Sequence, residues 1–235
     1  MKFRSLLVLI LTAVAFAPGA LASKYKDRTV ASEVNESQIK TPDEALKALQ
    51  DGNKRFVSRQ MLTQDFKAQK LKTAAGQTPY ATVLSCLDSR IPPEIVFDQG
   101  IGDIFVGRVA GNVENRDMLG SFEFATQVVG TKALVVLGHT KCGAVIGACK
   151  GVELGNLTGL LGEIKPAIQT TKTKHKKVKE HSDKYHDLVS EENVRQTIAD
   201  IRSGSPVMAK LESEGKLKIV GAMYNIDTGE VTWLK

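Results

Sequence analysis

Three residues of this sequence have the side chains and the spacing to bind a metal ion. Cys86 ends one apolar run, and His139 and Cys142, spaced as His-x-x-Cys, follow a second run. Two thiolates and one imidazole suit zinc, and a site with three protein ligands keeps a fourth position open for chemistry. Taken singly, the cysteine would more often be a core residue and the histidine a hydrogen-bonded polar residue. Their joint occurrence favours a metal site that catalyses a reaction.

The two apolar runs predict the strands that would position these residues. Residues 81–85 precede Cys86, and residues 133–137 precede His139. The second run is apolar throughout and alternates with helical patterns, which favours an α/β fold with a mostly parallel central sheet flanked by helices. The carboxyl ends of parallel strands share one edge of the sheet, where ligands bind. Both motifs should therefore face the same crevice.

Further elements are predicted around this sheet. Thr41-Pro42-Asp43-Glu44 combines a capping box with a proline at the first helical position, so a helix begins there. Residues 117–129 have a helical repeat of apolar side chains, and Gly130 stands at the position of a C-terminal cap. The remaining predictions are a strand at 103–106, helices near 191–202 and 206–214, and a last strand at about 217–224.

The N-terminus has the features of a secretory signal peptide. Lys2 and Arg4 precede an apolar run at residues 6–16, and Ala20-Leu21-Ala22 forms a small-residue cleavage site. The run is shorter than the roughly 20 residues that cross a bilayer as a helix. We expect cleavage near Ala22 and export to the periplasm or the medium, with no transmembrane anchor. The alternative is an uncleaved membrane anchor.

The rest of the chain is expected to form one domain. Residues 23–235 are enough for a single large core, with a polar extended arm at 23–40. The formal net charge is +6, and much of the excess lies at 172–184. Such a local excess is weak evidence for an acidic partner, so we predict no binding of nucleic acid.

A stretch at residues 171–188 contains three histidines among many lysines. His175, His181 and His186 could form a second metal site or a proton relay. Their spacing does not keep them on one helical face, and the ammonium groups would repel a cation. We therefore expect a solvated helix or loop.

The three cysteines fit metal binding better than disulfide bonds. An odd number is unusual in an exported chain, in which paired cysteines are the rule. Cys142 and Cys149 would lie two turns apart on one helix, a rise of ~10.5 Å, whereas the Cα atoms of a disulfide are at most ~7 Å apart. Metal ligation would use Cys86 and Cys142 and leave Cys149 as a small buried side chain.

The pattern Cys-x-Asp-x-Arg, followed about fifty residues later by His-x-x-Cys, resembles the signature of the β-class carbonic anhydrases, here in a bacterial-type exported form. The resemblance extends from Thr41 to the C-terminus. It also includes the segments at 97–106, 108–112, 120–125, 135–145 and 221–224.

The resemblance implies the reversible hydration of carbon dioxide to bicarbonate and a proton, and it implies the fold of that class, with an N-terminal helical arm. It assigns Zn²⁺ ligation to Cys86, His139 and Cys142, a catalytic dyad to Asp88 and Arg90, and a backbone amide that steadies the bicarbonate oxygen to Gly143. Asp88 would accept a hydrogen bond from the nucleophile, and Arg90 would keep its carboxylate ionised and off the metal. A homodimer or a dimer-based oligomer is also implied.

Three positions depart from the pattern of that family. Gln99 stands one residue early for a pocket glutamine, and Phe124 stands where tyrosine is common. Relatives regulated by a non-catalytic bicarbonate site carry tryptophan at the position of Val83. We therefore predict no such regulation and an open metal site at neutral pH.

Other functions remain open at the level of sequence. The same scaffold could hydrolyse carbon disulfide or carbonyl sulfide. A structural zinc protein would need a fourth protein ligand, for which Asp88 is the available residue. A basic module for an anionic surface would rest on residues 172–184 alone.

Overall fold

The structure, a computed structural model, describes residues 39–234. The predicted signal peptide and all but the last two residues of the predicted arm lie outside these residues. The strands are β1 (Ala81–Ser85), β2 (Ile104–Arg108), β3 (Ala133–His139), β4 (Lys218–Tyr224) and β5 (Val231–Trp233). The helices are α1 (Pro42–Val57), α2 (Phe66–Thr73), α3 (Pro93–Val96), α4 (Arg116–Glu123), α5 (Gly143–Cys149), α6 (Gly155–Gly162), α7 (Lys165–Lys174), α8 (Asp183–Gly204) and α9 (Pro206–Ser213).

The five strands form one sheet in the order β2-β1-β3-β4-β5. The first four strands are parallel, and β5 pairs antiparallel with β4. This arrangement confirms the predicted α/β fold with a mostly parallel sheet. The prediction that residues 217–224 form the last strand is wrong, because β5 follows. A strand of three residues is too short to show an alternating pattern.

Both faces of the sheet are covered. The side chains of β1 and β3 alternate between two apolar clusters, one that contains Val83 and Val135 and one that contains Leu84 and Val136. All residues of both strands are buried, which confirms the interpretation of these runs. The central strands therefore hold their carboxyl ends rigidly.

The helix boundaries follow local capping. The capping box of α1 is present, since the Thr41 hydroxyl accepts from the Glu44 amide at 3.3 Å and the Glu44 carboxylate accepts from the Thr41 amide at 2.9 Å. The predicted helix at 117–129 consists of α4 and a π-helical continuation (Phe124–Val129), which ends at Gly130 with a φ of 90°. The helix predicted at 191–202 begins earlier, because Ser182 caps α8.

Asn53 ties α1 to the C-terminal hairpin. Its side-chain amide donates to the carbonyls of Val96 and Gly229 at 3.1 and 3.0 Å, and its oxygen accepts from the amide of Val231 at 2.9 Å. Three buried main-chain groups from distant parts of the sequence are thus satisfied by one side chain.

None of the helices between residues 39 and 234 combines the length and the apolar character that crossing a bilayer requires.

Candidate metal centre

Cys86, His139 and Cys142 meet at the carboxyl edge of the sheet. Cys86 directly follows β1, His139 ends β3 and Cys142 caps α5. Because β1 and β3 are adjacent and parallel, the ends of these strands lie side by side. The ligand atoms of the three residues are within 4.8 Å of one another, and all three residues are buried. The structure thus brings together the three residues predicted to bind zinc.

The imidazole of His139 is oriented for metal binding. Its Nδ1 donates a hydrogen bond to the carbonyl of Thr140 at 2.8 Å. The Nε2 atom is buried and has no hydrogen-bond partner among the described residues. A neutral imidazole with Nδ1 bound to a carbonyl carries its lone pair on Nε2, as in metal-ligating histidines. The Nε2 atom of His139 is therefore suited to bind a metal ion.

The thiols of Cys86 and Cys142 are in contact with each other. Their sulfur atoms are 4.0 Å apart, about twice the ~2.05 Å of a disulfide bond, and both cysteines are free. The hydrogen bond with Cys142 lowers the pKa of Cys86 well below its usual range. The same contact, together with burial, raises the pKa of Cys142 far above its usual range. A divalent cation would displace the thiol protons, since metal ligation requires thiolates.

Asp88 and Arg90 form the predicted pair beside these ligands. The Arg90 side chain donates to both carboxylate oxygens, and the Arg90 amide donates to Oδ1 at 2.9 Å. The hydrogen bond from the Arg90 side chain lowers the pKa of Asp88 to about 2. The group of possible ligands found within residues 39–234 consists of Cys86, His139 and Cys142 and does not include Asp88.

Gly143 lies at the first position of α5, next to Cys142. The backbone amides of Val145 and Ala144 act to lower the pKa of the Cys142 thiol, so the start of this helix faces the site. Gly143 itself is exposed, and a Cβ added there would meet no atom within 4 Å. The structure therefore places open space beside the Gly143 backbone, where a substrate oxygen could approach.

Comparison with known proteins agrees with this geometry. A sequence model of the family described as carbonic anhydrase matches residues 81–231. Carbonic anhydrase 2 of Mycobacterium tuberculosis is 36% identical over 80% of this chain and 90% of its own length. The carbonic anhydrase of Mycolicibacterium smegmatis is also 36% identical, over 81% and 92% of the two chains.

Solved structures identify the class. A β-carbonic anhydrase of Aspergillus fumigatus superposes with a TM-score of 0.63 at 27% identity and covers 70% of this chain and 79% of that chain. A β-carbonic anhydrase of Sordaria macrospora shares the fold with a TM-score of 0.65 at 24% identity, over 70% and 84% of the chains. The chain belongs to the β-carbonic anhydrase family.

The structure shows the surroundings of the three positions that depart from the family pattern. In this β-carbonic anhydrase Gln99 is buried and hydrogen-bonds the Tyr80 hydroxyl and the Phe97 carbonyl, so it stabilises the core near β1. Phe124 is 52% exposed and contacts Phe105 on the edge strand β2, with ring centroids 6.2 Å apart. Val83 is fully buried in β1, and the absence of bicarbonate regulation stays a prediction.

The prediction for residues 171–188 is correct for the lysines and wrong for one histidine. Lys172, Lys174, Lys176 and the other lysines of this stretch are exposed. His186, in contrast, is only 5% exposed, and neither ring nitrogen has a hydrogen-bond partner among the described residues. The first turn of α8 places it beside Tyr185. The lysines around His186 in the sequence gave no indication that its side chain is buried.

Sequence reasoning missed the residues that hold the loops carrying the three candidate ligands of this β-carbonic anhydrase. Arg108 at the end of β2 donates to the carbonyls of Cys86 at 3.0 Å and Leu87 at 3.2 Å, and also to the carbonyl of Asp88. Ser190 of α8 donates to the carbonyl of His139 at 3.0 Å. Arg108 and Ser190 bind main-chain carbonyls, which every type of residue has. The sequence of the segment they bind therefore gives no sign of the contact.

Proposed function

We propose that this β-carbonic anhydrase binds Zn²⁺ through Cys86, His139 and Cys142 and catalyses the reversible hydration of carbon dioxide to bicarbonate and a proton. The buried Nε2 of His139, without a partner beside two thiols, is the observation that carries the proposal. Two sulfurs and one nitrogen in a buried site form a donor set that suits zinc. When bound, zinc lowers the pKa of a coordinated water towards ~7, which supplies a nucleophile at neutral pH.

The chain contributes orientation and charge around that chemistry. Asp88 accepts a hydrogen bond from the attacking water. This hydrogen bond directs a lone pair of the water oxygen at the carbon of carbon dioxide. Arg90 keeps the carboxylate ionised and turned away from the ligands, since its paired hydrogen bonds fix the plane of the carboxylate. The backbone amide of Gly143 donates to the oxygen of the forming bicarbonate.

Substitution of single cysteines tests the proposal. Cys86→Ser and Cys142→Ser should lose most bound zinc and nearly all hydration of carbon dioxide, measured by metal analysis and by stopped flow with a pH indicator. Cys149→Ser is the matched control and should retain both, because Cys149 lies outside the ligand cluster. Zinc-loaded wild-type protein that hydrates carbon dioxide no faster than buffer would overturn the proposal. Release of sulfide from carbon disulfide or carbonyl sulfide by that protein would instead support the hydrolase alternative.

We also propose a homodimer or an assembly of dimers. Support comes from the exposed Phe124 of the π-helical segment, which contacts the half-buried Phe105 on β2, an edge strand of the sheet formed by the described residues. The Sordaria macrospora relative, which is described as tetrameric, adds to this support. Light scattering on the wild type and on Phe124→Asp should show a dimer or larger in the first and a smaller species in the second. A monomeric, fully active wild type would contradict this.

Export is a further part of the proposal and rests on the N-terminal sequence alone. Cleavage near Ala22 should yield a mature protein that begins at Ser23, in the periplasm or the medium. N-terminal sequencing of the protein from fractionated cells would test it. Recovery of the intact N-terminus in the cytoplasm would contradict it.

A further inference from the structure

One face of α8 holds the backbone of the loops that carry the candidate ligands. Four polar side chains at spacings of three, three and four residues lie along this face. Asp187 accepts from the Lys141 amide at 2.9 Å, Ser190 donates to the His139 carbonyl at 3.0 Å, Asn193 donates to the Gly111 carbonyl at 2.7 Å, and Thr197 donates to the Asn112 carbonyl at 3.3 Å.

Asn193 is connected to the sulfur of Cys86, a candidate ligand, through hydrogen bonds to one intervening residue, Gly111. Its side chain is 1% exposed and donates to the carbonyl of Gly111. The amide of the same Gly111 donates to the sulfur of Cys86 at 3.3 Å. Asn193 and Cys86 are therefore linked through the two main-chain polar groups of one glycine.

This glycine belongs to a turn that needs support from outside. Gly111 and Asn112 have φ angles of 74° and 46°, so two consecutive residues adopt left-handed backbone. Left-handed backbone at a residue other than glycine costs about 1–3 kcal/mol, and the surrounding structure must maintain it. The turn is also packed tightly, because a Cβ at Gly111 would lie 2.9 Å from Cδ1 of Ile164 and 3.4 Å from Cβ of Ala144.

We propose that Asn193 is a positioning residue for the metal centre. By fixing the carbonyl of Gly111, it aims the amide of Gly111 at the Cys86 sulfur and so sets the donor strength and direction of that ligand. This inference rests on the proposed ligation of a metal by Cys86. A hydrogen bond to a thiolate withdraws electron density from sulfur, and loss of such outer contacts costs about 10–100-fold in metal affinity.

Thr197 provides the control that separates positioning from stability. It lies on the same face of α8, is also buried and binds the carbonyl of the next residue in the turn. No hydrogen bond from Asn112 to Cys86 is present in the described structure. Thr197→Val therefore removes a comparable buried hydrogen bond without removing the one that fixes Gly111.

The test uses cobalt-substituted and zinc-loaded full-length protein. Asn193→Leu, which keeps the branched shape of the side chain and removes its donor, should shift the sulfur-to-cobalt charge-transfer band and speed the loss of zinc to a chelator by about tenfold or more. Thr197→Val should lower the melting temperature while the absorption band and the rate of zinc loss stay those of the wild type. An unchanged band and rate in Asn193→Leu would overturn the inference, as would equal changes in both variants.

A second pair of variants tests the inference if Asn193→Leu does not fold. Asn193→Ala and Thr197→Ala each remove a buried side chain that hydrogen-bonds the turn, and only the first frees the Gly111 carbonyl. The Asn193 variant should lose zinc faster than the Thr197 variant, and equal rates would overturn the inference. A wild-type protein that binds neither cobalt nor zinc would instead refute the proposed function.

Discussion

The guanidinium of Arg90 donates to both carboxylate oxygens of Asp88, with nitrogen–oxygen distances of 2.9 and 2.7 Å. The amide of Arg90 adds a third donor. The two residues belong to one turn, so these hydrogen bonds are local, and the Arg90 guanidinium also donates to the Lys141 carbonyl at 3.5 Å. The same donors hold the pKa of Asp88 at about 2, so the carboxylate is ionised at neutral pH and its direction is fixed by Arg90.

Asp88→Ala should retain most of its zinc and lose most of its activity. The carboxylate is absent from the ligand cluster, whereas an orienting acceptor contributes roughly 100-fold or more to a rate. Stopped-flow hydration of carbon dioxide and metal analysis on the same sample would measure both. Asp117→Ala, which removes an exposed carboxylate on α4, should behave as the wild type. Loss of zinc from Asp88→Ala in proportion to activity would contradict the assigned role.

Gly111→Ala should destabilise the fold by about 1–3 kcal/mol, since an alanine would have to adopt a φ of 74° and would crowd Ile164. Urea denaturation would measure the change. Gly76→Ala is the matched control, because no atom lies within 4 Å of a Cβ at that position, and its stability should stay within about 0.5 kcal/mol of the wild type. Equal stability of the two variants would show that the turn at Gly111 tolerates a side chain.

Cys149 should resist alkylation in the folded protein. Burial raises the pKa of its thiol to about 11, and the thiolate is the reactive form. Iodoacetamide at pH 7.5 followed by mass spectrometry should therefore show little labelling of Cys149 in the native state and full labelling after denaturation. Rapid native-state modification at this residue would contradict the prediction.

Acid should destabilise the protein through His186. Burial lowers the pKa of this imidazole, and the charges of His181 and Lys150 act in the same direction. Asp183 and Asp187 oppose them. A histidine with a lowered folded pKa contributes its full stability above the unfolded pKa of about 6.5 and loses it as the pH falls towards the folded pKa, by at most about 1.4 kcal/mol per pH unit.

The variant His186→Phe tests this contribution by chemical denaturation at pH 7.5 and pH 5.5. Its free energy of unfolding should fall less between these pH values than that of the wild type. His175→Gln, at the C-terminal cap of α7, should keep the wild-type dependence. An identical pH dependence in the wild type and His186→Phe would contradict the prediction.

The sequence was informative where a residue's role depends on its immediate neighbours. β3 was predicted because a strand buried on both faces is apolar throughout, and β1 was predicted from a short run of mainly apolar residues. The clustering of Cys86, His139 and Cys142 was predicted because parallel strands end at one edge. The capping box at Thr41 is local in the same sense.

Roles that depend on distant main-chain atoms could not be predicted. Asn193 and Gly111 are 82 residues apart in sequence, and any residue at the second position would offer the same carbonyl. Arg108 likewise binds three carbonyls rather than side chains. The burial of His186 was missed because the lysine-rich stretch before α8 indicated a solvated segment, whereas α7 and α8 pack against each other.

The contacts of Asn53 constrain the order in which parts of the chain can fold. The residues that Asn53 joins to α1 include Val231, which is translated 178 residues later. Contacts of such large sequence separation form slowly, and the closing of the intervening loop must come first. Although α1 also contacts α3 and β3, its hydrogen bonds to the hairpin cannot form until residues 229–231 are present. A polypeptide truncated before that point would leave the Asn53 side chain without two of its three partners.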